Sequence, residues 1–239
     1  MPRNGLDFSR RANLQEQMDA PCSREVLQAC LRDLARVNRW FLAYRPVLEW
    51  LDGVSRHAPN GPLRILDVGC GYGDGLRCIE RWARKRGVGV ELSGLDLNPE
   101  TIAIASEASP PESAIQWVAA NVFDHEMLRP AHLIISSLFT HHLPDEDVVR
   151  FVRWMEGNAQ LGWLVNDLSR APVPYYLFRW FSRVAGLHPF VQHDGPVSFR
   201  RAFVPDDWKR LCTNAGLSRD DFEILGYKPA RLCVRRRKH

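Results

Sequence analysis

The sequence has no run of about eighteen or more apolar residues, the length that a membrane-spanning helix needs. Its opening, residues 1–11, is polar and basic and lacks the apolar stretch of a secretory signal. Both absences set the expectation of a cytoplasmic protein without stable membrane insertion. The six cysteines (Cys22, Cys30, Cys70, Cys78, Cys212 and Cys233) form no Cys-x-x-Cys pair, and no His/Cys metal spacing is visible. They read as reduced, mostly buried thiols, and no metal is expected. Internal repeats and low-complexity segments are also missing.

What is present is ordinary in amount. The 239 residues suit one α/β domain with additions, or two small domains. Apolar residues make up 45 % and charged residues 25 %, enough to bury a full core. The net charge is a modest +4, and part of it sits in Arg235-Arg236-Arg237-Lys238-His239. That cluster reads either as a nucleic-acid or membrane contact or, more plainly, as a solvated basic end. Many of the eight Trp and eleven Phe lie after residue 138. A pocket for an apolar substrate is one use for so much aromatic surface.

The first twenty residues are weakly patterned and are expected to be flexible or loosely docked. From Ser23, a good N-cap, Val26, Leu27, Cys30, Leu31, Leu34 and Val37 recur at helical spacing. A second helix is expected over 46–56, then a breaker, His57-Ala58-Pro59-Asn60-Gly61-Pro62. Residues 1–60 thus read as an N-terminal helical cap and 61–239 as the main domain. After the breaker, strands (64–68, 90–95, 115–119, 131–137, 161–165) alternate with helices. Such alternation implies a parallel sheet covered on both faces, with ligands beyond the carboxyl ends of the strands. Residues 175–186 read as an aromatic helix, 205–215 as a helix, and 222–225 with 231–234 as a closing pair of strands.

Gly69-Cys70-Gly71-Tyr72-Gly73 follows the first of these strands and precedes a helix. Glycine admits the dihedrals of such a turn and lets a ligand lie against bare backbone, near helix N-terminal amides. Asp96 ends the next strand, where a carboxylate accepts from the vicinal hydroxyls of a ribose. Gly-x-Gly-x-Gly departs from the Gly-x-Gly-x-x-Gly of dinucleotide folds, which favours a nucleoside without a pyrophosphate.

These residues resemble the first two motifs of the class I S-adenosylmethionine-dependent methyltransferases. Ala119-Ala120-Asn121-Val122-Phe123-Asp124 resembles the third motif, with Asn121 in place of the commoner Asp, and residues 133–143 resemble the fourth strand and its loop. The likeness spans roughly 63–170, with a weaker stretch at 203–216. It is closest in kind to bacterial small-molecule methyltransferases of polyketide- and quinone-type pathways, through residues 36–40 and Asn166-Asp167-Leu168-Ser169-Arg170. The resemblance implies a Rossmann-like, doubly wound, seven-stranded, mostly parallel sheet with an N-terminal helical extension. It implies S-adenosylmethionine as cofactor, with S-adenosylhomocysteine as product. The implied cofactor residues are Asp67, Gly69, Cys70, Gly71, Gly73, Asp96, Leu97, Asn121, Val122 and Ser137, with Arg39 for the cofactor carboxylate.

An unperturbed phenol ionises near roughly 10, so methyl transfer to one benefits from a base. His141 and His142 follow the fourth strand, and His142 is slightly preferred; the alternative is a pair of loop histidines. His193 and Asp194 form a second pair or merely a polar turn beside Gly195-Pro196. Asp167 and Arg170 either face the site or pair with each other. Leu177, Phe178 and Phe181 wall an acceptor site or simply pack. The expected partner is a small, apolar aromatic molecule, methylated on oxygen. A cofactor-binding protein without methyl transfer and a C- or N-methyltransferase remain alternatives. A nucleic-acid enzyme fits less well, because Ile135-Ser136-Ser137-Leu138-Phe139 lacks the acid or Asn and the prolines that hold a flipped base. A Rossmann oxidoreductase is disfavoured by the glycine spacing.

Overall fold

The structure is a computed structural model that describes residues 6–57, 61–127 and 129–238. The expected boundary at residue 60 and the first five residues of the opening lie outside the described residues. Ser23 caps α1 (Arg24–Trp40), its side chain accepting from the Val26 N–H. Then come α2 (Arg45–Val54), β1 (Leu63–Val68), α3 (Asp74–Arg86), β2 (Val90–Asp96) and α4 (Pro99–Glu107). Asn98 caps α4 by accepting from the Glu100 N–H, with Pro99 in the first turn. The chain continues through β3 (Gln116–Ala119), β4 (Ala131–Ser137), α5 (Asp145–Asn158), β5 (Ala159–Leu168), α6 (Pro172–Val184), α7 (Pro189–Arg201), α8 (Pro205–Asn214), β6 (Glu223–Tyr227) and β7 (Arg231–Arg237).

The seven strands form one sheet in the order β3-β2-β1-β4-β5-β7-β6. All neighbours are parallel except β7, which runs antiparallel to both β5 and β6. The expected doubly wound, mostly parallel sheet is therefore present, as is the helical extension before it. The order reverses between β1 and β4, so a crevice opens beyond their carboxyl ends.

Strand period explains the core. Along β1, Leu66 and Val68 join one hydrophobic cluster while Leu63 and Ile65 join another. Along β4, Ile134 joins the first while Leu133 and Ile135 join the second. The two clusters are thus the two faces of the sheet. One is covered by Phe151, Val152 and Met155 of α5 and Trp208 and Leu211 of α8. The other is covered by Val47, Trp50 and Leu51 of α2 and Leu76 and Ile79 of α3. Helix α2 therefore shares a core with the sheet.

Two expectations change. The opening segment is docked over much of its length: the Ala12 N–H donates to the Arg200 carbonyl, and Arg170 donates to the Phe8 carbonyl. The buried carboxylate of Asp194 accepts from the N–H groups of Gln17 and Met18. These are polar backbone contacts, which leave no hydrophobic periodicity to read. Second, His193-Asp194-Gly195-Pro196 is no turn but lies inside α7, with Pro196 in the helix. The Phe178 ring of α6 packs against Gly195 so closely that a β-carbon there would overlap it. The basic end forms β7, with Arg235 paired to Glu223 and Arg236 to Asp221. His239 lies outside the described residues. No helix among the described residues is long and apolar enough to cross a membrane.

Gly195→Ala should force α6 and α7 apart and lower stability by about 1–3 kcal/mol, as overpacking usually does. Urea denaturation checks this; an unchanged midpoint would mean that the helices yield freely.

Candidate functional site

The glycine turn leaves β1 with Gly69, Gly71 and Gly73 all at positive φ (70°, 51° and 74°). At Gly69 a β-carbon would lie 2.6 Å from the Phe139 ring. At Gly71 it would meet nothing within 4 Å, so the bare backbone faces open space. The Gly71 N–H donates to Asp96 Oδ2 at 3.0 Å, and the Asn98 N–H donates to Oδ1 at 3.1 Å. These bonds pin the carboxylate at the end of β2. Burial still raises the Asp96 carboxyl above the ordinary range, the two hydrogen bonds opposing it.

Around this turn lies a cavity of about 480 Å³. Gly69, Cys70, Gly71, Asp74 and Ser137 line one part of it. Val173, Leu177, Phe178 and Phe181 of α6, with Phe199 of α7, line another. Its roof includes Glu16, Leu34, Val37 and Phe41. His141 and His142 line it as well.

The histidines are placed by the loop after β4. Leu138 adopts a left-handed conformation (φ 57°), uncommon for a branched residue, and a short 3₁₀ turn over Thr140–His142 follows. Asp167, fully buried at the end of β5, holds that turn. It accepts from the Thr140 hydroxyl (2.5 Å), the His141 N–H (3.0 Å) and the Leu168 N–H (2.7 Å), and lies 2.7 Å from His141 Nδ1. Burial alone would raise Asp167, but His141 and these donors outweigh it and hold the carboxyl well below its ordinary range. His142 Nδ1 lies 3.1 Å from Asp19 Oδ1. Burial raises Asp19 too, but His142 and Arg201 bring it down to about 2. Both Nε2 atoms face Glu16, His141 at 3.7 Å from Oε1 and His142 at 3.8 Å from Oε2. Glu16 is 7 % exposed and its Oε1 accepts from the Ser198 hydroxyl. Burial pushes its carboxyl up.

The remaining expected residues scatter. Leu97 stands 72 % exposed beside Asp96. Asn121 is exposed, with its amide donating to Asp124 and its oxygen accepting from the Phe123 N–H. Val122 buries its side chain in the core. Arg39 is exposed on α1 and lies outside the cavity lining; Asp67, Gly73, Asp96, Leu97, Asn121 and Val122 lie outside it as well. The helical period turns its neighbour Asn38 inward instead. Asn38 donates to Tyr44 and Asp74 and accepts from Arg231, which is buried in the cavity wall. Arg231 Nη1 and Asp67 Oδ1 are both buried without a hydrogen-bond partner among the described residues. Arg170 pairs with Asp207 rather than Asp167. His193 contacts Asp194 but is half exposed and outside the cavity lining, while Asp194 anchors the opening segment.

Sequence reasoning missed Glu16, Asp19 and Arg231. They lie more than a hundred residues or an entire sheet away from the motifs they join, and none sits in a recognisable spacing. The absent metal spacing had the same cause: Glu16, His141 and His142 bring ligand atoms within 4.8 Å of one another from distant segments.

The unpartnered Asp67 oxygen, two residues before the glycine turn, and the unpartnered Arg231 nitrogen in the cavity wall suit a ligand with an ammonium and a carboxylate. Asp67 has the strongest claim on a cation, since burial beside Asp74 and Asp96 pushes its carboxyl well above the ordinary range. A raised folded pKa gives stability that is complete below about 3.8 and is lost as pH rises. Asp67→Asn should therefore melt higher than the parent at pH 7, with the difference vanishing towards pH 3.5. Thermal melts over that range check it; a lower Tm at pH 7 would refute the sign.

Comparison with known proteins agrees with this geometry. Residues 65–157 match a family model described as a methyltransferase domain. The chain is 33 % identical over 124 residues to trans-aconitate 2-methyltransferase of Streptomyces avermitilis, covering 50 % of this chain but only 44 % of that protein. It is 26 % identical over 184 residues to the ubiquinone biosynthesis O-methyltransferase of Chromobacterium violaceum, covering 75 % of each. Among solved structures, a plantazolicin methyltransferase bound to S-adenosylhomocysteine and a desmethyl-plantazolicin analogue aligns with a TM-score of 0.64 at 13 % identity, covering 90 % of this chain and 97 % of the other. Human N-acetylserotonin methyltransferase with S-adenosylmethionine aligns at 0.63 and 17 % identity, covering 90 % and 56 %. At such identities the likeness is one of fold.

Proposed function

We propose, from the premise that the chain belongs to the class I S-adenosylmethionine-dependent methyltransferases, that it moves a methyl group from this cofactor to the oxygen of a small, apolar, phenol- or polyketide-like acceptor. The observation that carries the reading is a single cavity joining the glycine turn, the histidine pair and an aromatic wall.

The residues divide the work. Asp96 accepts from the ribose hydroxyls, and Gly71 lets the cofactor lie against the turn. Asp67 and Arg231 take the ammonium and the carboxylate of its amino-acid end, so Arg231 fills the role first given to Arg39. When bound, the cofactor supplies an electrophilic methyl on a positively charged sulfur. The aromatic residues of α6 and α7 hold the acceptor and exclude water, which aligns its oxygen with that methyl. The bound cofactor would give its methyl carbon to the acceptor oxygen as its carbon–sulfur bond broke with the electron pair left on sulfur, and the hydroxyl proton would depart through the His141–His142–Glu16 group. His141, anchored by Asp167, is the better oriented of the two histidines. This reverses the slight preference for His142.

Titration calorimetry with S-adenosylmethionine tests cofactor binding, and labelled cofactor with a panel of phenols tests transfer. Asp96→Ala should weaken cofactor binding by roughly 10- to 100-fold, the loss of one or two charge-assisted hydrogen bonds. His141→Ala should leave cofactor affinity intact and cut transfer by roughly 10²- to 10⁴-fold. No cofactor binding at millimolar concentration would sink the reading. Label in tRNA and in none of the phenols would replace the acceptor class.

A further inference from the structure

The Glu16–His141–His142 group has more order than proton transfer alone requires. We infer that Glu16, His141 and His142 form a site for a divalent cation with a preference for nitrogen ligands, such as Zn²⁺ or Fe²⁺, which holds the acceptor's oxygen. The inference rests on the methyl-transfer reading for its use, though not for the binding itself.

Three observations converge. The first is donor geometry. The Nε2 atoms of both histidines lie 3.7 and 3.8 Å from the two Glu16 oxygens. Metal bonds of about 2.1 Å place neighbouring tetrahedral ligands roughly 3.4 Å apart, and one ligand atom from each of the three residues lies within 4.8 Å of the others. The second is the support behind each donor. His141 Nδ1 is held by Asp167 at 2.7 Å and His142 Nδ1 by Asp19 at 3.1 Å. A carboxylate on the far nitrogen of each imidazole fixes the tautomer that leaves Nε2 free to ligate, as in carboxylate–histidine–metal arrangements. One such pair is common, whereas two converging on a third, buried ligand are not needed for a lone base. The third is charge. Glu16, Asp19 and Asp167 surround the group, and Arg201 contacts two of them, 3.1 Å from Asp19 and 3.7 Å from Glu16. Arg11, which also reaches the His141 carbonyl, is paired with Asp145. Two negative charges remain, the complement of one divalent ion. Two imidazoles and one carboxylate favour Zn²⁺ or Fe²⁺ over Mg²⁺, Ca²⁺ or Mn²⁺.

All three ligand residues line the cavity, so the open positions of the ion face the acceptor. A bound cation lowers the pKa of a coordinated hydroxyl and orients its oxygen. While the ion is bound, His141 and His142 are its ligands and the proton leaves to water; in the ion-free protein the same group takes the proton. An acceptor with two neighbouring oxygens, such as a catechol or a hydroxyl beside a carbonyl, would chelate the ion.

The test uses the chelator-treated full chain titrated with Zn²⁺ and, without oxygen, with Fe²⁺, alongside S-adenosylmethionine in a separate titration. One ion per chain is expected. Glu16→Gln, which keeps a partner for Ser198, and His142→Ala should each weaken binding by tenfold or more. Asp19→Asn, which touches no ion, should weaken it by roughly 10- to 100-fold through the orientation of His142. Thermal melts confirm that each variant is folded, and any one folded variant suffices. Failure of both ions to bind the parent, or binding that the folded variants retain, overturns the site. Cofactor binding without ion binding overturns this inference alone, whereas ion binding without cofactor binding overturns the methyl-transfer reading alone.

Discussion

A buried carboxylate at the carboxyl end of β5 organises the site. Asp167 has no access to water, and a charge in that position is tolerable only if it is met by donors. It is met by a hydroxyl, two backbone N–H groups and an imidazole. Every one of these donors comes from the 3₁₀ turn after β4 or from Asp167's own strand. Satisfying Asp167 therefore fixes the turn, the turn fixes His141, and His141 shows its free nitrogen to the cavity.

That arrangement stands between two environments. On one side lies bare glycine backbone with pinned or orphaned charges, suited to a polar ligand. On the other lie rings from α6 and α7. The opening segment closes over both, tied by Asp194 to α7 and by Ser198 to Glu16. Its contribution is electrostatic: it brings two carboxylates, Glu16 facing both imidazoles and Asp19 partnering His142. Charge is thus concentrated in the same cavity that the glycine turn and the rings of α6 and α7 line.

The likeness to known methyltransferases covers the sheet and the glycine turn more firmly than the acceptor half. The matched family segment ends at residue 157, before α6 and α7 begin. The walls that meet the acceptor thus lie outside the matched segment, as does Glu16.

Local chemistry was enough to read the sheet, the caps at Ser23 and Asn98, the glycine turn and the acid that ends β2. Each depends on a short-range rule: alternation of apolar residues, a side-chain oxygen at a helix start, a residue without a β-carbon. The same rules misread the opening segment, whose docking uses backbone groups invisible to hydrophobic period, and α7, where Gly195 and Pro196 look like a turn in isolation. The family likeness put Asn38 and Arg39 together over the cofactor and gave its carboxylate to Arg39, but which side of a helix faces a cavity depends on what packs against it, and Asn38 is the one turned inward. Only the tertiary structure decided that Arg231 from the last strand and Glu16 from the opening segment share the cavity with His141. Those residues meet through the closing of the chain over the sheet, and a cluster assembled across such separations leaves no spacing in the sequence by which to know it.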